Sequence, residues 1–298
     1  MGNLVGAKVE SQDLIKNNKF IYESKEAAKK YKWLYQCTNI EALKNILKSK
    51  EIWLSNLKTV NDAEEVKRIN VPEFEKSFFV ACFTYEDNIP KEHWGEYGDG
   101  ENGVLYGFKQ DWVLREAELM WRPGEKVEDI DFKIYSKFDE ALEAACLMLK
   151  KHKRVCNPYF FWDFGFYQIV YDDELKKEMS GECALDIGDG ILKGVRFITP
   201  SVVGIIKNTH GLCKGKNAEV YDKEWTTEKE VRLKVGIGTT HDILPKELFF
   251  PKMAIKLKEN AFDELVIRFS PTMTGEKRKE NIKEIEKLLP NGVINVLQ

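Results

Sequence analysis

The segment from Trp225 to Val235 constrains the fold more than any other part of the sequence. From residue 228 onward its side chains alternate, which is the pattern of a β-strand whose two faces meet different surroundings. Glu228, Glu230 and Arg232 then project from one face. Because burying an uncompensated charge is costly, this face is expected either to meet water, as an exposed ion pair, or to line a polar cleft. The adjacent tryptophan and the apolar opposite face favour an interior strand, and so the cleft.

Strand and helix patterns elsewhere predict an α+β fold around a mixed or antiparallel sheet. Residues 32–37 predict a buried strand, and Thr38 followed by Glu41 forms a capping-box pattern that predicts the start of a helix. A second strand is expected at 51–55. Further strands are predicted at 77–84, 104–108, 228–235, 253–258, 262–269 and 293–297, and a further amphipathic helix at 274–289.

No tract that resembles a linker divides the 298 residues, since the 20 glycines and 9 prolines are scattered. We therefore expect a single domain, 1–298, in which 1–31 is a helical lead-in, 32–108 and 216–298 form the core, and 109–215 is a helical, aromatic-rich insertion. The aromatic cluster at 157–171 has two interpretations: a platform for a ligand or a nucleic-acid base, or part of the hydrophobic core. The core is the commoner use of such a cluster.

Composition and charge exclude several classes of protein. With 43% hydrophobic and 32% charged residues, the chain is too apolar for a disordered protein and too charged for a membrane protein. Without a signal-peptide pattern it is expected to be cytoplasmic. A net charge of -3 argues against strong electrostatic binding of nucleic acid. The 6 cysteines and 4 histidines lack zinc-site spacing, so no metal site is predicted.

A weaker candidate site is the turn at 270–275, between a predicted strand and a predicted helix. Its free backbone amides could receive an anion. Ordinary helix capping by Thr272 or Thr274 is the commoner arrangement.

Several short motifs follow one another in an order that resembles an uncharacterised bacterial family of unknown function. The pattern of that family is Y-x-x-T, N-D-x-x-E, C-F-S, W-x-x-Y, G-x-x-x-G-F and W-x-x-E-x-E-x-R. The matching segments here are Tyr35–Thr38, Asn61–Glu65, Cys82–Thr84, Trp94–Tyr97, Gly103–Phe108 and Trp225–Arg232. The last motif is the most specific, and the resemblance covers most of the chain outside 109–215.

More distantly, Tyr35 to Leu43 resembles the first strand and helix of DarT-like ADP-ribosyltransferases, which carry Y-H-x-T-x-I-x-x-L. The E-x-E is similar to the catalytic glutamate motif of the wider fold. This resemblance implies an ADP-ribosyltransferase-like core with NAD as substrate. Glu230 would stabilise an oxocarbenium-like transition state, and Glu228 would help to position the acceptor. The resemblance implies contacts to NAD by Gln36, Thr38, Thr84, Trp94, Tyr97 and Arg232, where Gln36 replaces the family's histidine.

The predicted function is transfer of ADP-ribose from NAD to an unknown acceptor, or hydrolysis of NAD, by a toxin or phage-defence effector. The alternative is a non-catalytic domain that binds a nucleotide, small molecule or protein on the same fold. A nuclease or deaminase is disfavoured because metal-ligand spacing is absent. The first two hypotheses differ in geometry. The enzyme requires Glu230, Thr38 and Thr84 to line one cleft, whereas the binding domain predicts a Glu230 sealed in an ion pair with Arg232.

Overall fold

A large mixed sheet organises the molecule in a computed structural model that describes residues 11–61, 74–120, 134–152, 159–179, 184–186, 191–193, 204–214, 219–239 and 250–297. The helices of these ranges are α1 (Ser11–Lys29), α2 (Ile40–Ser49), α3 (Lys91–Glu96), α4 (Phe138–His152), α5 (Asp173–Met179) and α6 (Gly275–Leu288). None of them is both long and apolar enough to cross a membrane.

The strands of the same ranges belong to the large sheet or to three small two-stranded ones. They are β1 (Leu34–Asn39), β2 (Glu51–Asn56), β3 (Phe78–Thr84), β4 (Gly103–Phe108), β5 (Val113–Met120), β6 (Ile134–Tyr135), β7 (Tyr159–Gln168), β8 (Val170–Tyr171), β9 (Ala184–Asp186), β10 (Ile191–Lys193), β11 (Ile206–Lys207), β12 (His210–Lys214), β13 (Val220–Glu224), β14 (Glu230–Thr239), β15 (Lys252–Leu257), β16 (Glu264–Phe269) and β17 (Val293–Val296).

The large sheet joins 11 of the described strands. Its main path runs β17-β16-β4-β1-β3-β14-β7-β6, and β2 branches from β3 to carry β15 and then β5. Neighbouring strands are antiparallel except for the pairs β16–β17 and β6–β7. The prediction of an α+β fold with a mixed sheet is therefore confirmed. Strands β5, β6 and β7 come from the range 109–215, so the predicted insertion supplies part of the sheet itself.

The hydrophobic core lies against the face of β14 that carries Val231, Leu233 and Val235, all fully buried. Its neighbour β7 contributes several members of the aromatic cluster. The buried ones among the described side chains are Tyr159, Phe161, Phe166 and Tyr167. Phe166 also packs on rings from other strands, with centroids 6.0 Å from Phe83 and 6.3 Å from Phe108. Tyr159, Phe161 and Phe166 therefore belong to the core, as the commoner of the two interpretations predicts, whereas Tyr167 donates its hydroxyl hydrogen to Asp163.

The large sheet splits along one edge of β3. At one end of this edge Thr84 pairs with Tyr35 of β1, and at the other end Val80 and Phe79 pair with Ser55 and Asn56 of β2. Between these points, residues 81–83 face no partner strand among the described residues on this edge. The opposite edge of β3 pairs continuously with β14, from Glu230↔Thr84 to Gly236↔Phe78. The split therefore leaves a gap in the sheet beside an otherwise fully paired strand.

Candidate functional site

A cavity of about 340 Å³ fills the gap where β1 and β2 diverge from β3. Strand β3 forms its floor, and β1 and β2 form two of its sides. The remaining wall comes from α3, from Lys207 of β11 and from the turn that enters β14. The split in the sheet thus creates the space, and the charged segment identified in the sequence borders it.

Six of the eight predicted site residues line this cavity, namely Gln36, Thr84, Tyr97, Glu228, Glu230 and Arg232. Thr38 and Trp94 are not among its lining residues. Thr38 lies further along β1, beyond the point where this strand pairs with β3, and there its partner is Val104 of β4. Trp94 is 4% exposed and packs with Ile89 and Leu105 on the other face of α3. The geometry required of the enzyme is thus met by Glu230 and Thr84 but not by Thr38.

The alternation predicted that Glu228 belongs to a strand. In the structure Glu228 instead reaches the cavity from a turn. Residues Trp225–Glu228 form a 3-10 helix, in which the Thr227 hydroxyl donates to the Glu224 carbonyl at 2.8 Å. Lys229 then adopts a left-handed conformation with φ 44°, and β14 begins only at Glu230. This reversal sends Lys229 outward to Glu86 and leaves both neighbouring carboxylates at the cavity.

Glu230 sits in a buried, fully compensated ion cluster. Its Oε1 accepts a hydrogen bond from Arg232 Nε at 2.5 Å, and its Oε2 lies 3.0 Å from Lys207 Nζ. Arg232 also donates from Nη1 to the Gly204 carbonyl at 3.1 Å. Glu230 and Arg232 are 2% and 1% exposed, which is tolerable only because each charge has partners. Glu230 therefore borders the cavity and is ion-paired with Arg232 at the same time.

Glu228 forms a second centre in the same cluster. Its two oxygens lie 3.0 Å from Lys207 Nζ and 3.1 Å from Lys223 Nζ, and Tyr97 donates its hydroxyl hydrogen at 2.5 Å. Burial alone would raise the pKa of Glu228, but the two ammonium groups and the hydrogen bond from Tyr97 outweigh burial and hold the pKa well below its usual range. Glu228 is therefore ionised at neutral pH.

The Trp225 ring packs against the ammonium groups of Lys207 and Lys223. Its side chain is fully buried, with Lys207 Nζ 4.4 Å and Lys223 Nζ 5.0 Å from the ring. Both ammonium groups can therefore interact with the negative face of the indole, an attraction that strengthens when the groups are shielded from water. No sequence motif indicates either lysine, because they belong to separate segments of the chain. Strand β11 pairs with β8 to place Lys207, and β13 carries Lys223 in its hairpin with β12.

Gln36 holds a defined position at the point where β1 leaves β3. Its Oε1 accepts from the Tyr106 hydroxyl at 2.5 Å, and its Nε2 donates to the Cys82 carbonyl at 3.3 Å. The side chain thus satisfies a carbonyl in the unpaired stretch of β3. Beside it the Cys82 side chain is exposed to the cavity, and partial desolvation by the surrounding protein together with the nearby Glu230 carboxylate raises the pKa of its thiol. Cys82 is therefore a neutral thiol.

Trp53 of β2 is an exposed aromatic residue in the lining of the cavity. Its side chain is 50% exposed, and Lys252 Nζ lies 5.3 Å from the ring. A half-exposed indole next to a polar cavity offers a surface on which a planar group can stack. None of the sequence motifs includes Trp53, so the sequence did not indicate it as a candidate site residue.

Substitution of Gly211 by alanine should destabilise the protein by about 1–3 kcal/mol. A Cβ atom at this position of β12 would lie 2.9 Å from Trp225 Nε1, so the ring that supports the lysines would have to move. Chemical denaturation would measure the loss. Gly275→Ala, with no atom within 4 Å of the added Cβ, is the matched control and should not be destabilised. Equal stability of Gly211→Ala and wild type would contradict the tight packing of Trp225.

Within the described residues, no group of three or more histidine, cysteine, aspartate or glutamate side chains is arranged to hold a metal ion. Comparison of the chain with protein-family models, with curated proteins and with solved structures found no match. The functional argument therefore depends on the cavity and its charged cluster.

Proposed function

We propose that the cavity binds NAD and that Glu230 promotes cleavage of its nicotinamide–ribose bond, on a core of the ADP-ribosyltransferase type. The observation that carries the proposal is the convergence of Gln36, Thr84, Glu228 and Glu230, predicted from separate motifs, on one cavity. A volume of about 340 Å³ lies within the range of small-molecule sites, roughly 300–1,000 Å³. It suits the nicotinamide riboside part of NAD, with the remainder extending past Trp53.

In the proposed reaction the bond between ribose C1′ and the nicotinamide nitrogen breaks, and its electron pair leaves with neutral nicotinamide. Positive charge then develops on the ribose. The Glu230 carboxylate would stabilise that charge, as fixed groups do when they face charge that appears only in the transition state. Water or an acceptor then adds to C1′ and releases a proton. Gln36 and Thr84 would hydrogen-bond to the ribose, and Glu228 would orient the acceptor.

A specific observation favours a second candidate, a non-catalytic domain that binds a nucleotide. Both oxygens of Glu230 already have cationic partners, Arg232 on one and Lys207 on the other. The carboxylate would need to loosen one of these contacts before it could face a ribose. In a binding domain the same ion cluster would stay intact and serve only to shape the cavity.

Nicotinamide release from NAD and calorimetric binding of NAD together distinguish these candidates. For the enzyme, wild type should release nicotinamide, and Glu230→Gln should do so about 100-fold more slowly while still binding NAD. Glu264→Gln is the matched control, because that carboxylate is 48% exposed and pairs with Lys109 outside the cavity. Binding without release in any variant would identify the binding domain. Absence of NAD binding to wild type would overturn both forms of the proposal.

A further inference from the structure

A second cavity, of about 660 Å³, lies between α3 and the loop that leads into α6. Its apolar wall includes Trp94, Phe269 and Leu297. Its charged lining residues are all basic, namely Lys91, Arg268 and Arg278, and no aspartate or glutamate is among the described residues that line it. The cavity therefore combines an apolar surface with an excess of positive charge.

The two arginines retain unused hydrogen-bonding capacity. The Nε atoms of Arg268 and Arg278 are both buried and have no hydrogen-bond partner. Buried N–H groups are nearly always paired, since leaving one unpaired costs free energy. Arg268 Nη2 lies 4.0 Å from the half-exposed Asp87, and Arg278 Nη2 donates at 2.9 Å to the uncharged carbonyl of Ser270. Neither guanidinium group is therefore fully compensated.

The loop at 270–274 adds hydroxyl groups but is not itself the source of the charge. Ser270 Oγ and Thr272 Oγ1 lie 2.9 Å apart, and Thr272 lines the cavity. Thr274 caps α6 by accepting a hydrogen bond from Lys277 N at 3.3 Å, so one of the helix amides is already satisfied. The helix-capping interpretation of this turn therefore applies to Thr274, and recognition of an anion would depend on the arginines.

We propose that this second cavity binds a phosphorylated small molecule, with Arg268 and Arg278 contacting the phosphate and Trp94 and Phe269 contacting the rest. Guanidinium groups match the oxygens of phosphate in geometry and in charge. A phosphate group carries between one and two negative charges at neutral pH, so it balances two arginines better than a single carboxylate does. The volume suits a ligand about as large as a nucleotide. This site is separate from the NAD cavity and does not depend on the function proposed for it.

Titration calorimetry with inorganic pyrophosphate as the probe tests the assignment. Wild type should bind pyrophosphate, and Arg268→Gln and Arg278→Gln should each weaken binding about tenfold or more. Lys277→Gln is the matched control, because it removes one positive charge from the same helix but pairs with Glu101 outside the cavity. Lys277→Gln and Glu230→Gln should bind like wild type. Succinate at the same concentration should bind more weakly than pyrophosphate.

Three calorimetric results would overturn the proposal. They are no binding to wild type, an equal loss on Lys277→Gln, or a change in affinity confined to Glu230→Gln, which would place the bound pyrophosphate in the first cavity. Hydrogen exchange of the wild type keeps the test valid if an arginine variant fails to fold. Added pyrophosphate should slow exchange within residues 268–278, and unchanged exchange there would equally contradict the site.

Discussion

Replacement of Arg232 by methionine is expected to lower the free energy of unfolding by about 3 kcal/mol. The guanidinium group is the principal partner of Glu230, and both side chains are almost fully buried. Its removal leaves a buried carboxylate with Lys207 as its remaining cationic partner, which places the cost near the lower end of the range for broken buried ion pairs. Urea denaturation monitored by circular dichroism would measure the change.

A double-mutant cycle separates the ion pair from the loss of packing. Glu230→Met combined with Arg232→Met should cost clearly less than the sum of the two single substitutions, because neither charge is then left without its partner. Lys229→Met is the control beside them in sequence. Its pair with Glu86 is exposed on both sides, so the loss should be much smaller than that for Arg232→Met. A similar loss for Arg232→Met and Lys229→Met would contradict the buried cluster.

Alkaline pH is expected to unfold the protein through its buried tyrosines. Burial raises the pKa of Tyr106 and, together with the Asp163 carboxylate, that of Tyr167, and burial raises the pKa of Tyr159 to about 12. The pKa values of Tyr97 and Tyr171 are raised by burial and by nearby carboxylates. Each folded pKa lies above the unfolded value of about 10. The stability that each neutral phenol contributes is therefore complete below pH 10 and is lost as the pH rises above it.

Above pH 10 each such tyrosine should add a slope of about 1.4 kcal/mol per pH unit to the loss of stability. Tyrosinate absorbance at 295 nm, followed together with circular dichroism, should show these phenols ionising only as the protein unfolds. Tyr159→Phe should reduce the slope of stability against pH by up to about 1.4 kcal/mol per pH unit, the contribution of one proton. Ionisation of all 11 tyrosines near pH 10 with the fold intact would contradict the burial.

Lys234 has the opposite effect on the pH dependence of stability, and it acts at lower pH than the tyrosines. Burial lowers its pKa to about 8, although the Asp163 carboxylate 3.1 Å away partly offsets the burial. Because the unfolded chain then binds the extra proton, this group makes stability rise with pH between about 8 and 10.5. The alkaline loss should therefore follow a maximum, and Lys234→Met should remove the rising part of the curve.

The local pattern of the sequence predicted the strands well where one face is apolar and the other is not. Val231 and Leu233 face the core while Glu230 and Arg232 face the cavity, as the alternation indicates. The same pattern failed at Glu228, because the left-handed conformation of Lys229 separates this residue from the strand, which begins only at Glu230. Periodicity carries no signal for such a reversal at a residue other than glycine.

Helix α2 shows a similar limit. The hydroxyl of Thr38 fits a capping pattern, but Thr38 stays in β1 through its pairing with Val104. Asn39 caps the helix instead, accepting from Ala42 N at 2.8 Å. Two adjacent residues with suitable side chains are equivalent in the sequence, and the tertiary pairing of the strand decides between them.

Local sequence patterns could not predict the cationic partners of Glu228. Lys207 and Lys223 come from β11 and β13, and only the tertiary fold brings them to Glu228. The strand β7, in the range 109–215 predicted to be helical and aromatic-rich, also lacks a local signal. In β7 aromatic side chains occupy both faces of the strand, since Phe166 pairs with Leu233 on the core face and Tyr167 pairs with Arg232 on the other, so the alternation that identifies other strands is absent.

Helix α3 is shared between the two cavities. His93 and Tyr97 face the first, whereas Lys91 and Trp94 line the second. A six-residue helix is too short to respond to a ligand on one side while its other side stays fixed. Any ligand that displaces α3 from one cavity must therefore change the affinity of the other. Thermodynamic reciprocity requires that the two effects be equal. A ligand in either cavity would therefore change the affinity of the other cavity for its ligand by the same factor.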